Sequence, residues 1–76
     1  MMPRGSNGSA ENAVEALKWF RKAADQGNAY AQDYLGFMYS NGRGTSKNEA
    51  EAAKWYGKAA AQGYKKAEEH LKALLK

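Results

Sequence analysis

Along the chain, apolar residues return at spacings of three and four. Ala13, Ala16, Leu17, Phe20, Ala23 and Ala24 fall on one stripe, while Lys18, Lys22 and Asp25 turn outward, which predicts an amphipathic helix over 12–26. Gly27 follows the last periodic residue, where a left-handed cap is easiest for glycine. A second helix is predicted over 28–40. It carries two apolar faces: Ala31, Leu35, Met38 and Tyr39 on one, and Tyr30, Asp33, Tyr34 and Phe37 on a neighbouring one. The segment Asn41–Lys47 has two glycines and no apolar residue, so it reads as a loop that lets the chain reverse. A third helix over 48–62 turns Ala52, Trp55, Tyr56, Ala59 and Ala60 inward and ends at Gly63, and a fourth over 64–75 repeats the second in weaker form. Asn12 with Glu15, and Asn48 with Glu51, have the spacing of a capping box at the first and third helix starts.

The pattern is also duplicated. KWFRKAADQG from Lys18 returns as KWYGKAAAQG from Lys54, with Trp19 matched by Trp55 and Gly27 by Gly63, 36 residues on. Setting 11–40 against 47–76 gives identities at caps, stripes and stops, among them Asn12, Ala16, Trp19, Ala23, Gln26, Ala31 and Leu35. A period of that length points to a solenoid of stacked helical hairpins. Alanine pairs would let helices approach closely, and both tryptophans, lying on the repeating stripe, are expected to fill the space between hairpins.

The run AQDYLGFMYSNGRG from Ala31, followed by EAAKWYGKAAAQG from Glu51, resembles the Sel-one-like repeat, a relative of the tetratricopeptide repeat. The elements that carry the resemblance are Ala31, Leu35-Gly36, Tyr39, Gly42 with Gly44, Trp55-Tyr56, Ala59-Ala60 and Gly63, and it extends over residues 11–76. Thr45 stands where the family usually has Val, and Lys72 where the glycine equivalent to Gly36 is expected. Lys72, in the most charged stretch of the chain, marks a terminal helix with a polar outer face.

The resemblance implies an all-α fold, an α/α superhelix (a tetratricopeptide-like solenoid) of four antiparallel helices, serving as a protein–protein interaction scaffold. Its first-type helices would line a concave groove. On the helical wheel, Tyr30, Asp33, Tyr34 and Phe37 face that groove, joined one repeat later by Lys66, Glu69 and His70. These seven are the candidates for holding a peptide or protein partner, the aromatic rings as contact area and the charges as register. Packing of Tyr34 and Phe37 against the adjoining hairpin is the competing reading of those two.

Composition narrows the function classes. The 76 residues contain no cysteine and one histidine, His70, which removes disulfides, thiol chemistry and a histidine-rich metal site. No nucleophile–histidine–carboxylate set and no phosphate-cradling loop ahead of a lysine is present, so the expectation is no enzyme, no cofactor and no metal. The net charge of +4 raises nucleic acid or anionic lipid as partners. The basic residues are interleaved with Glu and Ala, however, and Lys18, Lys22, Lys54 and Lys58 read as a solvated face interrupted by Glu15 and Glu51. Neither nucleic acid nor membrane is expected as a partner. No run approaches the roughly 18 apolar residues of a membrane span, and residues 1–10 read as a flexible leader in which Pro3-Arg4-Gly5-Ser6 resembles a cleavable expression linker. The chain is expected to be soluble, with the compartment open between cytoplasm, periplasm and ER lumen.

A short solenoid leaves repeat edges uncovered. Self-association is therefore expected, as a symmetric dimer exchanged about the Asn41–Lys47 loop. The second functional reading is a truncated or engineered repeat unit without a natural ligand, associating through those edges.

Overall fold

The computed structural model describes residues 8–76, and side chains from residue 12 onward. Of the flexible leader expected over residues 1–10, residues 1–7 lie outside the described residues, and residues 8–10 instead open the first helix. Four helices follow in order: α1 Gly8–Asp25, α2 Ala29–Asn41, α3 Glu49–Ala61 and α4 Lys65–Leu75. Among the described residues there is no strand, and each helix packs against its chain neighbours, α2 against α3 most extensively.

Both tight turns are built the same way. Asn28 N–H bonds the Ala23 carbonyl and Gly27 N–H that of Ala24; one repeat later Tyr64 and Gly63 bond Ala59 and Ala60. Gly27 and Gly63 take φ of 95° and 87°, which closes the helix end by the paired-carbonyl geometry that a left-handed glycine permits. The longer α2–α3 loop is pinned at both ends: Arg43 N–H donates to the Met38 carbonyl and Asn48 N–H to that of Tyr39, each at 2.8 Å.

Those bonds explain where α3 begins. Asn48 Oδ1 accepts from Glu51 N–H at 3.0 Å, but the Glu51 carboxylate lies beside Lys54 rather than returning to Asn48, so only half of the expected box forms. At α1 the box does not form. The helix starts at Gly8, Asn12 sits exposed within it, and residues 9–12 contain no helix breaker.

Leu35, Ala52 and Ala59 are fully covered at the centre, with Ala24, Ala31, Trp55, Tyr56 and Tyr39 around them and Leu17, Phe20, Leu71 and Leu74 at the margin. Gly36 lets α2 and α3 touch: a β-carbon there would stand 2.7 Å from Tyr56 Cδ1. The expectation that both tryptophans pack in the core needs correction. Trp55 is 4% exposed, whereas Trp19 is 65% exposed. Trp55 lies in the buried cluster with Ala24 of α1 and Ala31 and Leu35 of α2, and α1 has no equivalent described helix on its outer side.

Candidate functional site

The seven residues predicted to face the groove meet around one open cleft of about 410 Å³ between α2 and α4. From α2 come Tyr30, Asp33, Tyr34 and Phe37, and from α4 Lys66, Glu69 and His70. They converge because α3 sets the two helices side by side, so the second face of α2 and its counterpart on α4 look into the same space.

The aromatic wall is layered. Tyr34 sits between Phe20 of α1 at 4.5 Å and Phe37 at 5.4 Å between ring centroids, so it is held in place, and the expected packing role of Tyr34 is real alongside its position on the cleft. Tyr30 and Phe37 stand more freely, at 55% and 37% exposed. Tyr64 adds an edge-on ring 6.5 Å from Tyr30. Sequence reasoning missed Tyr64. It occupies the helix-start position held one repeat earlier by Asn28, which caps α2 through Ala31 N–H, whereas Tyr64 makes no side-chain cap bond. An aromatic ring at a position suited to a capping acceptor was the available signal.

The polar floor is fixed by one pair. Asp33, buried on α2, accepts a hydrogen bond from His70 Nδ1–H on α4 at 2.8 Å, which answers the need of a buried carboxylate for a partner. Lys66 and Glu69 are exposed at the rim. Behind this floor lies Tyr56, whose phenol is pushed above its usual 10.0 by burial, opposed by a hydrogen bond with Ser40 and reinforced by the Asp33 charge. A raised pKa in the folded state means that stabilisation is complete below pH 10 and is lost as pH rises through and beyond it. In urea unfolding from about pH 8 to about pH 11, the wild-type chain should lose stability more steeply than Tyr56→Phe. Equal slopes would show that the phenol is not the titrating group.

No group of three or more His, Asp or Glu gathers among the described residues as a metal site would require. None of the described helices is long and apolar enough to cross a membrane.

A family model for the Sel1 repeat matches residues 4–28 and again residues 29–64. The chain belongs to the Sel1 repeat family. The second Sel1 match runs through α2, the pinned loop, α3 and the Gly63 turn, and the first through α1 to Asn28, so the boundary between matches falls at the start of α2. Among solved structures, the chain is similar to a Sel1 repeat protein from Oxalobacter formigenes, at 52% identity and a TM-score of 0.79 over 82% of this chain. The match covers 26% of that protein, so the chain spans about a quarter of its relative's length. No curated protein matches the chain. Sel1 repeat proteins are generally non-catalytic scaffolds for protein–protein interaction, on a helical solenoid like the one seen here.

Proposed function

We propose that this Sel1 domain, residues 11–76, is a recognition module whose α2–α4 cleft holds a peptide or a segment of a protein partner. The observation that carries the proposal is the convergence of Tyr30, Phe37 and Tyr64 around the hydrogen-bonded Asp33–His70 floor, with charges of both signs at the rim. Exposed tyrosine and phenylalanine rings offer contact area with few side-chain torsions to freeze. Lys66 and Glu69 set the direction in which a charged peptide lies. The Tyr34 ring supports the wall, and α3 keeps the two cleft helices at fixed spacing.

Panning a peptide library against the wild-type chain and against Tyr30→Ala/Phe37→Ala tests this. Enrichment of peptides with an apolar or aromatic anchor by the wild type, lost in the variant at unchanged far-UV helicity, is the expected result. No enrichment over the variant would remove the cleft as a binding site. A second reading, self-association through an uncovered repeat edge, is favoured by the exposure of Trp19.

A further inference from the structure

Half of the polar floor of the cleft is unused. The Asp33 side chain is only 9% exposed, and His70 Nδ1–H occupies one of its oxygens, Oδ1, at 2.8 Å. Among the described residues nothing donates to the other oxygen, Oδ2. That oxygen is not sealed in the core, where the buried polar side-chain atoms without a partner are Glu51 Oε1 and Trp55 Nε1. Its access is through the cleft that Asp33 lines. A carboxylate accepts up to about four hydrogen bonds, so a largely buried one with an open oxygen is suited to a donor from outside. Both walls of this cleft belong to described helices, and it lies between consecutive repeats rather than at an end of the chain.

Charge and ring geometry select the donor. The chain carries a net charge of +4, yet Asp33 and Glu69 line the cleft against Lys66 alone, so the sign reverses locally. The Tyr30 and Tyr64 rings stand nearly perpendicular, at 80° and 6.5 Å between centroids, and Tyr30 lies close to parallel with Tyr34, at 22° and 6.3 Å. Rings so arranged make a corner, and the face of a tyrosine attracts a cation. The chain's own cations do not fill it: the contacts of lysine and arginine with ring faces among the described residues are all to Trp19 and Trp55.

We infer that the cleft takes a basic side chain of the bound segment, arginine above all, beside the apolar anchor. The inference rests on the reading of the cleft as a peptide site and names the chemistry that site selects. A guanidinium is planar and weakly hydrated, so it stacks on a tyrosine face while its edge donates to Asp33 Oδ2; a lysine ammonium, compact and strongly hydrated, combines the two less well. Glu69 at the rim adds attraction on approach, and Lys66 keeps a second basic residue away from its side of the opening.

Capped, labelled peptides in which Phe and Arg are separated by zero to two glycines test this by fluorescence anisotropy at neutral pH. Each has a twin with citrulline, nearly the same shape without the charge, in place of arginine. At the best spacing the arginine peptide should bind the wild-type chain about tenfold or more tighter than its twin. In Asp33→Asn, which keeps an oxygen for His70 Nδ1–H, that ratio should fall towards one. Glu69→Gln lies at the exposed rim, away from the core, and should lower the ratio about twofold, so the charge is read even where Asp33→Asn is unstable. Equal binding of the twins by the wild type would overturn the inference and leave the cleft as an apolar peptide site. An arginine preference that both variants retain would place the cation elsewhere and overturn it as well. Binding of neither twin at any spacing would count against the peptide site itself and the inference with it.

Discussion

Trp55→Ala is expected to leave the chain largely unfolded at 25 °C, whereas Trp19→Ala should cost less than about 1 kcal/mol. The residues are identical and stand one repeat apart; what differs is their cover. Trp55 is 4% exposed against the core formed by Ala24, Ala31, Leu35 and Ala52. The Arg21 guanidinium and the Lys54 and Lys58 ammonium groups lie 5.3–6.0 Å from its ring centre. Truncating a buried indole costs about 3–5 kcal/mol. Its Nε1 is buried without a partner, so truncation also removes an unsatisfied donor and the loss falls toward the lower end of that range. A domain of this size rarely holds more than about 3–5 kcal/mol in total, and the loss consumes most of it. Far-UV circular dichroism in a urea series reads both variants. Equal losses for the two would contradict the difference in burial.

Gly44→Ala should destabilise the fold by about 2–4 kcal/mol, through two effects that act together. The backbone there has φ of 77°, a conformation that costs an L-residue about 1–2 kcal/mol. A β-carbon would also stand 2.5 Å from the carbonyl oxygen of Ala13. That contact is with the backbone of α1, so no side-chain rotation relieves it, and either the loop or α1 must shift. The expected consequence is separation of α1 from the α2–α3 loop, read as faster amide exchange in α1 than in α3. Unchanged stability and exchange would show that the loop is not held against α1 as closely as the geometry implies.

Much of the fold was legible because the physics involved is local. Periodicity marked four helices, Gly27 and Gly63 marked two of their ends, and Asn48 marked one start with an acceptor that does bond a free N–H group; the equivalent cap by Asn28 at α2 is seen in the structure. The α1 start was misplaced because the letters of a capping box recur at Asn12 and Glu15, while the helix already runs from Gly8 and Asn12 lies within it. Trp19 was misplaced for a related reason: a stripe reports which side of a helix is suited to burial, and says nothing of whether another helix is there to bury it. The seven cleft candidates were legible from the second face of α2 and its counterpart on α4. Tyr64 was not, since its role arises from being 6.5 Å from Tyr30 across the cleft.

By itself the sequence determined that this is an all-α repeat, with its period, its turns and its resemblance to Sel1 units, because hydrophobic spacing, caps and glycine stops act over a few residues. Only the tertiary structure decided which of two identical tryptophans is core and which is surface. It likewise decided that Asp33 meets His70, and that four aromatic rings from α2 and the start of α4 share one cleft. Those are relations between helices, and they depend on which faces find a neighbour in space.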